Sequence, residues 1–240
     1  MSSVKPEEFQ TNVRQNKQVL KDLAALITEE INRRSTPPAG WDFRFMLIVA
    51  QWLIEQGRYT MTPEGNNPGN VVGAGDAGSF TRPYNTEFVD GKRVPRPDVP
   101  FARYSSMQLA TKIKFDALQS NWPGAHQAVM TGGSADEYAN GLYPGFPKNY
   151  ATAPRGDYAS GMRIRLKQLI PHYILTCEDD IKEIDQMAGG ISGTPPPSGT
   201  SLDYRNDLTL NKNMRSVLEN LRDELKKLEQ RVKANGRVQP

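Results

Sequence analysis

The sequence contains a single cysteine, Cys177, and only two histidines, His126 and His172. One cysteine cannot form a disulfide within the chain. A structural zinc site needs about four ligands, drawn largely from cysteine and histidine. Neither histidine has a cysteine or an acidic residue near it at ligand spacing. We therefore expect no metal site and no cofactor, and we interpret all three residues as ordinary packing or surface side chains.

Long apolar runs and a strong charge of one sign are also missing. No apolar run approaches the roughly 20 residues that span a bilayer. The first ten residues, M-S-S-V-K-P-E-E-F-Q, lack the apolar segment of a secretory signal. The net charge is only +3, and no basic run is interleaved with aromatic residues. These absences argue against membrane insertion and nucleic-acid binding. We expect a protein made in the cytoplasm, and its weak basic bias would also suit an anionic polymer.

The most apolar stretch runs from Trp41 to Gly57 and reads W-D-F-R-F-M-L-I-V-A-Q-W-L-I-E-Q-G. A helix that is apolar on every side is a buried helix. Glu55 stands in its last turn, where burial and the negative end of the helix dipole both disfavour a charged carboxylate. The sequence therefore predicts a raised pKa for Glu55, which suits a general acid working near neutral pH.

The segments on either side of this helix differ in character. Residues 7–34 show the periodicity of a helix with one apolar face. Residues 58–82 form a long polar loop rich in glycine, asparagine and proline, and such loops are usually functional or disordered. Residues 84–94 predict a β-hairpin that turns at Asp90-Gly91 and carries Glu87 on its first strand.

The second half of the chain is predicted to be helical. Helices are expected at 107–121, with an N-cap at Ser105-Ser106, at 134–142 and at 157–176. Trp122-Pro123-Gly124 and Gly132-Gly133 are interpreted as breaks, and Pro171 is expected to kink or shorten the last helix.

The C-terminal part divides into a linker and a charged helix. Residues 188–202, A-G-G-I-S-G-T-P-P-P-S-G-T-S-L, have the composition of a linker. We therefore predict a main domain at 1–187 and a helical extension at 203–240. The extension carries an apolar heptad seam, at Met214, Leu218, Leu221, Leu225, Leu228 and Val232. This seam fits either a helix packed back on its own domain or a docking helix for a partner or for self-association.

Two carboxylates stand out for chemistry, Glu55 on the buried helix and Glu87 on the hairpin. Glycoside hydrolysis uses one acid to protonate the leaving oxygen and often a second carboxylate to activate water or stabilise charge. Spacing alone leaves the second role open, because other acids of the loop and hairpin region compete with Glu87: Glu64, Asp76, Asp90 and Asp98.

Several short segments resemble one enzyme family. Ala50–Gly57, A-Q-W-L-I-E-Q-G, resembles the A-Q-x-x-x-E-S-G helix of the glucosaminidase family of peptidoglycan hydrolases, glycoside hydrolase family 73, to which the flagellar rod-associated wall hydrolase belongs. Similar segments follow in the family's order, from 43 to 175 overall: N-V-V-G at 70–73, T-E-F with D-G at 86–91, F-A-R-Y-S-S at 101–106, and N-Y-A-T with Y-A at 149–159.

The resemblance implies a lysozyme-like, mainly α fold (α+β) with a small β-hairpin lobe, to which the C-terminal heptad helix is added. It implies cleavage of the β-1,4 bond after N-acetylglucosamine in peptidoglycan. Glu55 would be the general acid, Glu87 the second carboxylate and Tyr150 the active-site tyrosine. Without the resemblance, Tyr150 would be interpreted as a core aromatic with a bonded hydroxyl. Four further positions would bind substrate: Asn70, Gly73, Tyr104 and Tyr158.

The biological setting has three interpretations. A wall hydrolase without a signal peptide would fit an antibacterial effector of type VI secretion, acting in the periplasm of a target cell. Its partners would be peptidoglycan strands, an immunity protein occluding the cleft, and a secretion-apparatus protein. A phage lysin or tail-associated hydrolase is the second interpretation. A non-catalytic peptidoglycan-binding or structural protein is the third, since fold alone does not determine function.

Overall fold

The computed structural model describes residues 17–39, 41–56, 64–89, 92–145, 148–151, 153–191 and 201–235. One turn of 3-10 helix lies at Glu64–Asn66. Within these ranges the chain forms seven α-helices: α1 Lys17–Arg34, α2 Phe45–Gln56, α3 Met107–Asn121, α4 Pro123–Met130, α5 Ala135–Gly141, α6 Arg155–Ile191 and α7 Ser201–Asn235. None of these described helices is both long enough and apolar enough to cross a membrane.

Two small antiparallel sheets form the β-lobe between α2 and α3. Strand β1 (Ser79–Thr81) pairs with β4 (Pro100–Ala102), and β2 (Thr86–Val89) pairs with β3 (Lys92–Pro95). The hairpin predicted at 84–94 is therefore present, with Glu87 opposite Val94. Its predicted turn at 90–91 lies outside the described residues. The predicted fold class, mainly α with a small β-lobe and a C-terminal helix, is confirmed.

Helix α2 lies at the centre of the core, as its all-round apolar sequence predicts. Residues 43–50 and 52–53 are almost fully buried, and α2 packs against α1, α4 and α6. Asp42 stands outside the helix, because its carboxylate accepts the backbone N–H of Arg44 at 3.0 Å and pairs with the Arg44 guanidinium at 2.8 Å. Asp42 therefore holds the chain in place just before the first turn of α2.

Helix α4 was not predicted, because Trp122-Pro123-Gly124 was interpreted only as a break. Pro123 stands at the first position of α4, where its missing N–H leaves no hydrogen bond unmade. A Cβ on Gly141 would come within 2.0 Å of the Ala125 nitrogen, so α4 and α5 approach closely at this glycine. The first break, Trp122-Pro123-Gly124, is therefore the start of α4. The second, Gly132-Gly133, is the junction between α4 and α5.

Helix α6 is longer than the predicted 157–176 and continues through Pro171 to Ile191. Buried side chains on both sides of the proline, including Leu169, Ile170 and Ile174, hold the helix together by packing. Cys177 lies well inside α6 and is buried, whereas the predicted helix ended just before it, at residue 176. The predicted linker at 188–202 begins as helix, and residues 192–200 lie outside the described residues.

The heptad seam of α7 faces α6. Leu225, Leu228 and Val232 are buried in the same hydrophobic core as Ile174 and Cys177. An ion pair between Lys226 and Glu178, at 3.5 Å, lies beside this contact. Of the two predicted interpretations of the seam, packing against its own chain is the one that agrees with these contacts. The division into a domain at 1–187, a linker and an extension stays a prediction.

Candidate active site

Glu55 lies half-buried in the last turn of α2, and its carboxylate meets the start of α6. The hydroxyl of Tyr158 donates a hydrogen bond of 2.7 Å to Glu55 Oε1. Tyr158 is only 2% exposed, so its ring is held by packing. One predicted substrate-binding residue therefore contacts the predicted general acid directly.

Gln51, one turn before Glu55 on α2, orients this contact. Its side-chain Nε2 donates to the Tyr158 hydroxyl at 3.0 Å, and its Oε1 accepts a hydrogen bond from the Tyr138 hydroxyl. Because the Tyr158 oxygen accepts from Gln51, its single proton points to Glu55. Gln51 is 0% exposed, and its carbonyl and amide group are both engaged.

The electrostatic environment of Glu55 agrees with the expectation from its sequence. Burial raises the pKa of Glu55 to about 7. The hydrogen bond from Tyr158 and the positive charge of Lys114 oppose this rise, and repulsion from Glu87 adds to it. The carboxyl group can therefore be protonated at neutral pH, as a general acid requires.

Tyr150 packs beside Tyr158, and its hydroxyl donates a hydrogen bond to the loop after α2 and not to Glu55. Its hydroxyl donates to the Gly69 carbonyl oxygen at 2.9 Å, and its backbone N–H donates to the Leu142 carbonyl at 2.9 Å. Its ring stands edge-on to Trp122, with the centroids 5.0 Å apart, and lies 6.2 Å from the ring of Tyr158. Tyr150 therefore joins the loop at Gly69 to the aromatic wall next to Glu55.

Asn70 connects the loop to the end of α2 and does so through its side chain. Asn70 Nδ2 donates to the backbone carbonyl of Glu55, and Arg82 Nη1 donates to Asn70 Oδ1 at 2.6 Å. The backbone of Asn70 has a φ of 49°, in the left-handed region that asparagine tolerates better than most residues. Asn70, predicted to bind substrate, thus holds α2 and the β-lobe together.

Glu87 is half-buried on β2, and its charge is felt by Glu55. The other described acids that are candidates for the role of second carboxylate each bond to a neighbouring residue. Glu64 pairs with Arg82 at 3.4 Å, Asp76 accepts the backbone N–H of Ser105 at 3.0 Å, and Asp98 bonds to Arg96 at 3.1 Å. Asp90 lies outside the described residues. Glu87 is the acid whose charge raises the pKa of Glu55.

The remaining predicted substrate-binding residues, Gly73 and Tyr104, lie farther along the loop region. Gly73 has a φ of 116°, which favours glycine, and its N–H donates to the Pro100 carbonyl at 2.9 Å. Tyr104 is buried against Ala102 and Ala110, and it is close enough to Tyr150 to raise the pKa of that tyrosine electrostatically. Gly73 thus attaches the loop to β4, and Tyr104 lies beside the Tyr150 wall.

Lys114 is a site residue that the sequence prediction missed. It lies on α3, is 3% exposed, and places its Nζ 4.1 Å from the centroid of the Tyr150 ring. The signal was present in the sequence, because Lys114 occupies the apolar stripe of α3 that faces the core. The other buried members of that stripe are Ala110, Thr111, Phe115 and Leu118. Lysine is rarely fully buried unless its charge is paired, so a lysine on the buried face of a helix indicates a specific role.

The described residues contain no group of three or more His, Cys, Asp or Glu side chains that could hold a metal ion. The site itself brings together a carboxyl group with a raised pKa and a wall of tyrosines, within the electrostatic influence of a second carboxylate, Glu87.

Comparison with known proteins gives one similarity. No protein-family model and no curated protein matches the sequence. Among solved structures, the chain is similar to a peptidoglycan hydrolase mutant from Sphingomonas sp. A1, at 20% sequence identity and a TM-score of 0.44. The match covers 65% of this chain and 92% of that chain. At this identity and TM-score the similarity assigns no function to the chain.

Proposed function

We propose that this protein is a glycoside hydrolase that cleaves the β-1,4 bond after N-acetylglucosamine in peptidoglycan, with Glu55 as the general acid. The observation that carries the proposal is the state of Glu55. Its carboxyl group has a pKa raised to about 7 by burial and is oriented by Tyr158 and Gln51. The order of the family-like segments around Glu55, Glu87 and Tyr150 supports the choice of substrate.

The hydrogen bond from Tyr158 indicates which oxygen of Glu55 would carry the proton that is donated to the substrate. Oε1 accepts the proton of Tyr158, so Oε2 is the oxygen that carries the carboxyl proton in the active form. Protonation of the leaving oxygen by this group weakens the bond to the anomeric carbon as positive charge develops on the sugar. Glu87, on β2, would stabilise that charge or activate water.

Two courses of the second step remain compatible with these residues. A water molecule activated by Glu87 would give inversion at the anomeric carbon. Attack by the substrate's own N-acetyl group would give retention without an enzyme nucleophile. The two courses differ in the anomer of the first product, which NMR of a fresh digest identifies.

The proposal is tested by digesting purified peptidoglycan with the wild type and with Glu55→Gln, and identifying the new reducing ends by mass spectrometry. The wild type is expected to produce reducing N-acetylglucosamine ends. Glu55→Gln is expected to lose activity by about 100-fold or more, since general acid catalysis typically contributes 10²–10⁴-fold. Glu219→Gln, the same change at an exposed ion pair with Arg215 on α7, is the matched control and should digest normally.

Other products would change the assignment. Reducing N-acetylmuramic acid ends would identify a muramidase. Binding to peptidoglycan without any released fragment would favour the non-catalytic wall-binding protein. Full activity in Glu55→Gln would remove Glu55 from the reaction.

For the setting, we propose an antibacterial type VI secretion effector that acts in the periplasm of a target cell and is neutralised by an immunity protein occluding the cleft. The proposed substrate lies outside the cytoplasmic membrane, so toxicity should depend on compartment. Expression with an added periplasmic export signal should lyse cells, and expression without it should not. Equal harmlessness in both compartments would argue against a periplasmic toxin. Release together with phage particles would favour the phage lysin.

A further inference from the structure

Lys114 is a buried lysine whose amino group lacks a hydrogen-bond partner among the described residues. Its side chain is 3% exposed, and Nζ has no hydrogen-bond partner among the residues that the structure describes. An ammonium group has three donors and is strongly hydrated in water. Burying it without hydrogen bonds is unfavourable, so packing alone would place a methionine or leucine at this position on α3.

The surroundings of Lys114 are those of the candidate active site. Nζ lies 4.1 Å from the ring centroid of Tyr150, which is cation–π distance. The centroids of the Tyr150 and Tyr158 rings are 6.2 Å apart, and the Tyr158 hydroxyl donates a hydrogen bond to Glu55. The ammonium therefore faces the aromatic wall that encloses the Glu55 carboxylate, and these two charges have opposite signs.

We propose that Lys114 is a positioning residue of the candidate active site, whose buried amino group, held against the Tyr150 ring, favours the ionised form of Glu55. The inference rests on the proposed function for its consequence in catalysis, and on the cluster of Lys114, Tyr150, Tyr158 and Glu55 for its physical basis. The cation–π contact with Tyr150 favours the charged form of Lys114. The ammonium in turn favours the ionised form of Glu55.

None of the other titratable groups that face Lys114 and Glu55 favours the ionised form of Glu55 through a positive charge. The surrounding tyrosines are buried, and burial raises their pKa values, so they stay neutral across the working range of pH. Glu87, on β2, carries a charge that opposes ionisation of Glu55. The facing groups are Glu87, Tyr104, Tyr138, Tyr143, Tyr150 and Tyr158. Among the groups identified as shifting the pKa of Glu55, Lys114 is the only cation in the described part of the chain.

The sign of the effect follows from these charges. Burial raises the pKa of Glu55, and the Lys114 ammonium lowers it part of the way back. Removing the ammonium should therefore raise the pKa of Glu55 further. Because the reaction needs protonated Glu55, the alkaline decline of activity should move to higher pH. For Lys114 itself, burial lowers the pKa to about 7 and the Glu55 charge opposes this fall, so Lys114 and Glu55 titrate in the same pH range.

The test compares Lys114→Met with the wild type over a range of pH. We expect the alkaline limb of kcat/KM to move up by about one pH unit or more, since an opposite charge nearby shifts a carboxyl pKa by about 1–3 units. We also expect a higher Tm at neutral pH, because methionine removes a buried ammonium that lacks hydrogen bonds. Lys112→Met is the matched control, because Lys112 is exposed on the same helix and pairs with Asp116. It should leave the pH profile unchanged.

A second measurement tests the inference without any activity. Carbon-13 NMR of the glutamate side-chain carboxyl groups, with Glu55 assigned by its absence in Glu55→Gln, follows the titration of Glu55 directly. A higher Glu55 midpoint in Lys114→Met than in wild type supports the inference even if peptidoglycan is not the substrate. An unchanged midpoint, or a lower Tm with an unchanged pH profile, would mean that Lys114 only fills space, and would overturn it.

Discussion

Single side chains determine the state of Glu55, and they do so through a short chain of hydrogen bonds. Tyr138 donates to Gln51, Gln51 donates to Tyr158, and Tyr158 donates to Glu55. Each hydroxyl in this chain has one proton, so fixing the first bond fixes the direction of the rest. The carboxyl group thus meets an oriented donor in a setting where burial has already raised its pKa. Such preorganisation is what catalysis by a single acid requires.

The proposed role of Glu87 as the second carboxylate can also be tested by a single substitution. In Glu87→Gln we expect peptidoglycan hydrolysis to fall by about 100-fold or more, if Glu87 activates water or stabilises the developing charge. The Tm should stay close to wild type, because Glu87 is only half-buried and lies on a two-stranded sheet. Initial rates on labelled peptidoglycan and a thermal melt measure the two effects.

Asp76→Asn provides the matched control for this experiment. Asparagine keeps the acceptor oxygen for the Ser105 N–H, so the loop should hold its shape. This variant should remain active. Activity near wild type in Glu87→Gln, together with a loss in Asp76→Asn, would transfer the second role to Asp76.

At the scale of elements, the site depends on how the loop after α2 is held against the end of that helix. Asn70 bonds the Glu55 carbonyl on one side and Arg82 on the other, and Arg82 stacks on Phe80 and Phe101 of the small sheet. The last carbonyls of a helix have no partner within it. Asn70 supplies one, so the same side chain completes α2 and joins the β-lobe to the end of the helix that carries Glu55.

This connection predicts the effect of Asn70→Gly. Glycine accommodates the left-handed backbone at this position, so the change removes the side chain without adding strain. We expect the free energy of unfolding to fall by about 1–3 kcal/mol, because the Arg82 side chain and the Glu55 carbonyl each lose a bond. We expect kcat/KM to fall about 10-fold or more as Glu55 and the β-lobe lose their relative placement.

Asn85→Gly is the matched control for the Asn70 experiment. Asn85 also bonds a backbone carbonyl, that of Arg96 at 3.0 Å, but this bond lies wholly within the β-lobe. Urea denaturation and steady-state kinetics on both variants distinguish the two positions. Equal losses of activity would show that Asn70 has no special role in holding α2 to the lobe.

Over the whole molecule, the long helices α6 and α7 continue the core that contains the site. α6 begins at the site with Tyr158 and extends past Cys177, where it packs against Leu225 and Leu228 of α7. The core of α2 and that of the C-terminal helices are one cluster of buried side chains. Stability of the site should therefore depend on α7, although α7 contributes no residue to the Glu55 network described above.

Leu228→Ala tests this dependence. Leu228 is 0% exposed, and truncating a buried leucine typically lowers the free energy of unfolding by about 2–5 kcal/mol. Val217→Ala, on the same helix at 52% exposure, should change it by about 0.5 kcal/mol or less. Denaturant unfolding measures both. An unchanged stability in Leu228→Ala would mean that α7 does not dock on α6 in solution and is free to serve a partner.

Much of the fold was predictable from the local pattern of residues. The apolar run from Trp41 to Gly57 predicts a buried helix, the Ser106 cap sets the start of α3, and the heptad seam forms the buried face of α7. The hairpin was predictable because its alternation and turn residues are local features. The position of Glu55 at the end of α2, and with it the rise in its pKa, followed from the same local pattern.

What only the tertiary structure decided is which distant side chains meet at Glu55. Gln51 is one turn away on α2, but Tyr158 and Lys114 come from other helices and Asn70 from the loop. α6 continued through Pro171 because packing on both sides outweighed the lost hydrogen bond. By itself, the sequence determined the helices other than α4 and the C-terminal part of α6, the β-hairpin and a carboxylate in a buried setting, since these depend on neighbours along the chain. The partners that tune the carboxylate depend on packing between elements, which no local pattern encodes.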